Sequence, residues 1–132
     1  MSGRRKTVLV VEDEPLIAMI AGEILEDLGY EVLDARTKRE ALAVLAVEKA
    51  VTLLFTDIDL ADGSSGIDLA IVFARLHPGI PIVVTSGRFQ PTALPAGARF
   101  LPKPYSDQDL AEAILFETGN SRSRHRMELT IF

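Results

Sequence analysis

Leu53-Leu54-Phe55-Thr56-Asp57-Ile58-Asp59 is an apolar run that stops at a carboxylate. A continuous apolar stretch such as Val51 to Thr56 is the pattern of a strand covered on both faces in a parallel sheet. Open α/β sheets bind ligands outside the carboxyl ends of their strands. The run is therefore placed at the centre of a sheet, and Asp57 is taken as the reactive residue.

Working outward, Thr7 to Val11 is a short β-branched strand. Leu16, Ile17, Ile20, Ile24, Leu25 and Leu28 then recur at helical spacing over Pro15 to Leu28, with Gly29 as the stop. Glu31 to Ala35 reads as a second strand, and Thr37-Lys38-Arg39-Glu40 as a capping box opening a helix through Lys49. On the far side, Ala61 to Gly66 is a loop, Ile67 to Leu76 a helix ended by His77-Pro78-Gly79, and Ile80 to Thr85 a fourth strand. Phe100 and Leu101 lie in a short fifth strand, and Ser106-Asp107-Gln108-Asp109 caps a helix through about Phe116. Strands alternating with helices imply βαβ crossovers and a parallel sheet between two helical layers. Five strands and five helices fit the length. The weak unit is Gly87 to Ala98, where Pro91, Pro95 and Gly97 crowd together; an interior proline costs about 3 kcal/mol, so at most one helical turn is expected there.

The chain has 132 residues, 48% hydrophobic and 25% charged, which suits one globular domain. It contains no cysteine, which excludes disulfides, thiolate metal sites and a cysteine nucleophile, and suits the cytoplasm. The apolar run behind Arg4-Arg5-Lys6 is too short for a signal segment or a membrane span. Residues 7–118 hold 8 Lys/Arg against 18 Asp/Glu, a balance of −10 that argues against a nucleic-acid surface. The expected organisation is a basic leader over 1–5, a domain over 6–117 and a disordered tail over 118–132. In that tail Met127, Leu129 and Ile131 alternate with strand period.

Four polar groups stand at the ends of the apolar strands: Glu12-Asp13, Asp57, Thr85-Ser86 and Lys103. In a parallel sheet these ends share one edge. Three carboxylates drawn together repel unless a cation joins them, and hard oxygen ligands without sulfur or imidazole select Mg²⁺. An ammonium and a hydroxyl beside a carboxylate nucleophile complete a site for a phosphoryl group, whose transfer needs positioning and charge stabilisation above all.

Glu12-Asp13, Asp57, Val83-Val84-Thr85-Ser86 and Leu101-Pro102-Lys103-Pro104, in that order over roughly residues 6–117, resemble the receiver domain of two-component response regulators. Each motif alone is common; four in order at strand ends form a specific pattern. The resemblance implies a flavodoxin-like, doubly wound five-stranded parallel sheet in three α/β/α layers, here with a shortened or irregular fourth helix. It also implies transfer of a phosphoryl group to Asp57 from a histidine kinase or a histidine phosphotransfer protein. Mg²⁺ would be held by Asp13, Asp57 and the main-chain carbonyl of Asp59, with Glu12 acting directly or through water. Thr85 and Lys103 would bind the phosphoryl oxygens, Thr85 and Phe100 would move together as the switch, and the Lys103-Pro104 peptide would be cis. The expected partners are the phosphodonor and an unidentified downstream protein, without nucleic acid or membrane, and the chain would be a monomer or weak homodimer. Three departures stand out: the short, proline-loaded Thr85 to Lys103 interval, Glu12 in place of the commoner aspartate, and the added carboxylate of Asp59. With no output domain after Phe116, the chain reads as a stand-alone or excised receiver, not a conventional enzyme.

Simpler roles exist for these residues. Asp57 could be a helix or loop cap at a strand end, Glu12-Asp13 could cap the helix at Pro15, and Asp62 and Asp68 are read as solvated or capping groups. A haloacid-dehalogenase-type phosphohydrolase is suggested by Asp57-Ile58-Asp59, but Ala61 stands where that signature has Thr or Val, and the metal-binding acids precede the nucleophile. A phosphorylation-independent interaction module is the other alternative, favoured only by the short Gly87 to Ala98 segment.

Overall fold

The computed structural model describes residues 6–88 and 91–117, with side chains through 114. The expected leader over 1–5 and tail over 118–132 lie outside the described residues. Among the described residues nine elements follow in order: β1 (Lys6–Val11), α1 (Pro15–Asp27), β2 (Tyr30–Ala35), α2 (Lys38–Val47), β3 (Leu53–Asp57), α3 (Gly66–Leu76), β4 (Ile82–Ser86), β5 (Ala98–Pro102) and α4 (Asp107–Glu117). The strands form one parallel sheet in the order β2-β1-β3-β4-β5. This is the five-stranded α/β/α arrangement expected from the sequence, with β3 at its centre.

Alternation along the strands sorts the core into two layers. Val8, Val10, Leu53, Phe55 and Val83 face Ala21 and Leu25 of α1 and Leu110, Ala113 and Ile114 of α4. Leu9, Val11, Leu54, Ile82 and Val84 face Ala41 and Leu45 of α2 and Leu69, Ala70 and Phe73 of α3. All five residues of β3 are buried, as its unbroken apolar run requires. Each large side chain withdrawn from water contributes about 1.5–3 kcal/mol, so the centre of the sheet is also its most strongly held part.

Local chemistry sets the helix ends. Pro15 opens α1 behind Glu14, which makes no side-chain cap; Glu12 Oε2 instead accepts from the Glu14 N–H at 3.2 Å. Thr37 Oγ1 accepts from the Glu40 N–H at 3.1 Å, and Glu40 returns to the Arg36 N–H at 2.8 Å. The box is thus displaced by one residue from its usual closure on the cap itself. Ser106 and Asp109 close a reciprocal box at α4, each bond 3.0 Å long. Helix α2 stops at Val47, two residues short of the expected Lys49, because Glu48 turns extended to carry the chain back toward buried Val51. Strand β4 starts at Ile82, two residues after the expected Ile80.

Among the described residues between β4 and β5 there is no helix. Gly97 adopts φ +85°, and Leu94 packs against the α2–α3 core layer together with Ile80 and Phe100. Among the described residues the expected short fourth helix is therefore replaced by irregular chain, for the proline and glycine content already noted. Among the described residues, no helix is long and apolar enough to cross a membrane.

Candidate functional site

The chain leaves β1 in one direction along the sheet to make β2, then crosses back to make β3 on the other side of β1. That reversal opens a crevice at the carboxyl ends of β1 and β3. Glu12 and Asp13 follow β1 directly, and Asp57 is the last residue of β3, in register with Thr85 of β4. Glu12, Asp13 and Asp57 each bring a carboxylate oxygen to within 4.8 Å of the others.

Lys103 follows β5, its N–H donating to the Ser86 carbonyl at 3.0 Å. Its Nζ lies 3.1 Å from Glu12 Oε1 and 3.4 Å from Asp57 Oδ2. The Glu12 side chain is 1% exposed, that of Asp57 9% and that of Lys103 18%, so little solvent screens these contacts. Burial pushes the Glu12 carboxyl above its ordinary pKa and Asp57 adds to the rise, against the pull of the Glu14 N–H and Lys103. Burial also raises Asp57, and Lys103 only partly offsets it. Burial works to lower Lys103, but Glu12 and Asp57 together carry it above the ordinary lysine value. Burial thus raises the two carboxyls and the two carboxylates raise Lys103, in a crevice where three carboxyl groups face one ammonium.

That charge deficit and the all-oxygen donor set fit Mg²⁺, which takes a few carboxylates and keeps waters. Asp59 contributes differently. Its carboxylate lies outside the cluster and faces Arg88, with Nε 3.9 Å from Oδ2. Its backbone forms an antiparallel bridge with Ser65, framed by bonds from Gly66 N–H to the Ile58 carbonyl and from Leu60 N–H to the Ser64 carbonyl. The Asp59 carbonyl is not used in either.

Thr85 is fully buried, and its Oγ1 has no hydrogen-bond partner. Such an orphaned hydroxyl costs about 1–3 kcal/mol and calls for an acceptor. Ser86 is also buried, its Oγ accepting from the Arg88 N–H. Phe100 is half-buried, one residue before the Leu101 that pairs with Thr85. The Lys103-Pro104 peptide is cis.

Two positioning residues escaped the sequence reading. A Cβ on Gly66 would stand 1.8 Å from the Asp57 carbonyl oxygen, so only glycine lets the start of α3 press against the end of β3. Tyr105 sets its ring edge-on to Phe55, centroids 5.9 Å apart. Burial, then Glu12 and Asp57, push its phenol up to about 12. Neither has a local signal, since each acts through a neighbour distant in sequence. Asp62 is confirmed as a loop cap, accepting from the Ser64 N–H and hydroxyl.

Known proteins resemble this chain in sequence and fold. Over 123 residues, 89% of this chain, it is 36% identical to the phyllosphere-induced regulator PhyR of Methylorubrum extorquens, of which it spans 46%. It is 37% identical over 128 residues, 92% of the chain, to the nitrogen assimilation regulatory protein NtrX of Azorhizobium caulinodans, of which it spans 28%. Among solved structures, a CheY-like receiver domain protein from Methanospirillum hungatei JF-1 superposes with a TM-score of 0.78 at 31% identity, covering 92% of this chain and 99% of that one. With an acidic crevice at the sheet's reversal point, a lysine across it, and residues 8–115 matching the model of the response regulator receiver domain, the chain belongs to that family.

Proposed function

We propose that this domain accepts a phosphoryl group on Asp57 from a phosphohistidine of a kinase or phosphotransfer protein, and that the modification alters binding of a downstream protein. The observation that carries this reading is Lys103 Nζ held between Glu12 and Asp57 in a buried, negatively overcharged crevice. A carboxylate oxygen of Asp57 attacks phosphorus, the P–N bond to the donor imidazole breaks, and the imidazole leaves with the bonding electron pair. Lys103 stabilises the charge on the phosphoryl oxygens. The orphaned Thr85 hydroxyl, on the register partner of Asp57, gains an acceptor when it turns toward them, and Phe100 follows into the space released. When Mg²⁺ is bound, Asp13, Asp57 and the Asp59 carbonyl would hold it, with Glu12 direct or through water, and it supplies charge neutralisation at the phosphoryl oxygens.

The donor is a protein with an apolar docking face. Leu16, Met19 and Ile20 lie at i, i+3 and i+4 on α1, 60%, 54% and 46% exposed, on the helix that starts beside Asp13. The domain works in the cytoplasm and catalyses only its own phosphorylation and dephosphorylation.

Acetyl phosphate with Mg²⁺ tests the core of this reading. Intact-mass spectrometry is expected to show one added phosphoryl group on the parent and none on Asp57→Asn. Equal labelling of the two, or steady turnover of generic phosphomonoesters, would overturn it.

A further inference from the structure

Glu12, Asp13 and Asp57 carry three negative charges against one positive charge on Lys103. A divalent cation brings that sum to zero. Replacing the Asp57 carboxylate by an acyl phosphate adds about one more negative charge, so the loaded site is short of one cation. The structure holds a candidate at the mouth. Arg88 stands three residues beyond Thr85, the register partner of Asp57, and its N–H donates to Ser86 Oγ at 3.1 Å. Its guanidinium faces Asp59, two residues beyond Asp57, with Nε 3.9 Å from Oδ2 and side chains 78% and 48% exposed. An ion pair that long and that exposed is weak and readily exchanged. A phosphoryl group offers the planar guanidinium two oxygens at once, a better partner than one distant carboxylate oxygen.

We propose that Arg88 is a second cation for the phosphoryl group, parked on Asp59 across the mouth and transferred to the phosphoryl oxygens when Asp57 is loaded. The inference rests on Asp57 being the phosphoacceptor. It gives Asp59 a use for its carboxylate outside the metal cluster: Asp59 positions the arginine and competes with incoming anions for it.

Labelling by acetyl phosphate over a concentration series, with the Arg Nε–H resonances followed by NMR as beryllofluoride is added with Mg²⁺, tests it. In the parent the Arg88 resonance is expected to shift on loading. Arg88→Ala should raise the half-saturating acetyl phosphate concentration about tenfold, the size of one charge-assisted hydrogen bond. Arg88→Lys should recover part of this, and Asp59→Asn should lower the value below the parent's. Saturating donor should still label all three variants. Full labelling with an unchanged half-saturation in Arg88→Ala, or a stationary Arg88 resonance, would overturn the inference alone. Absence of label from the parent would overturn the phosphoacceptor reading and this inference with it.

Discussion

Asp57 is held by backbone contacts as much as by its own side chain. Thr56 Oγ1 donates to the Asp57 carbonyl at 2.9 Å, the Ile58 N–H donates to the Thr85 carbonyl at 2.9 Å, and Gly66 leaves room for α3 to close on the Asp57 carbonyl. A methyl group 1.8 Å from a buried backbone oxygen cannot be absorbed by a side-chain rotation. Gly66→Ala is therefore expected to cost about 3 kcal/mol, seen in denaturant unfolding, and to weaken labelling of Asp57 in the fraction that folds. Parent-like stability would show that the helix start moves freely. Asp57, Asp13, Glu12 and Lys103 were legible in the sequence because each stands directly after an apolar strand. Gly66 was not, because nothing within the chain near residue 66 says which backbone lies against it.

At the scale of elements, α1 does two jobs. Its inner face carries Ala21 and Leu25 into the core, while Leu16, Met19 and Ile20 stay exposed on the turns nearest the crevice. Leu16→Asp combined with Met19→Glu is expected to cut phosphoryl transfer from a protein donor at least tenfold, while labelling by acetyl phosphate stays at the parent's level. A parallel loss with both donors would place the defect in the site instead of the docking face. Periodicity revealed α1 readily, yet it could not separate these two faces, because both are apolar. Capping chemistry likewise announced α2 and α4, through Thr37 with Glu40 and Ser106 with Asp109. For α3, the start fell one residue earlier than its apolar pattern suggested, because Ser65 caps it, accepting from the Ile67 N–H at 3.1 Å.

For the whole molecule, the crevice couples stability to pH and to metal. Glu12 and Asp57 have folded-state pKa values above their ordinary ones. Between the ordinary and the raised values the folded chain binds more protons than the unfolded one, so stability falls as pH rises through that window. Lys103, also raised, contributes stability that is full below the ordinary lysine value and is lost as pH climbs through its folded value. Metal-free protein should thus melt lower at pH 7 than at the acidic edge of that window. Excess Mg²⁺ should restore stability at pH 7, by about 2.7 kcal/mol at a hundredfold excess over Kd, and much less in Asp57→Asn. A melting temperature indifferent to Mg²⁺ at pH 7 would count against the carboxylate cluster as a metal site. The amino-acid sequence by itself determined the strand and helix alternation, the parallel sheet, the central strand and the four strand-end positions, since each follows from local periodicity and from where apolar runs stop. Only the tertiary structure decided that Lys103 lies between Glu12 and Asp57, that the Thr85 hydroxyl is left without a partner, that Gly66 must be glycine and that Asp59 turns outward to Arg88. These are distances between residues far apart in sequence, set by how the packed layers bring the strand ends together.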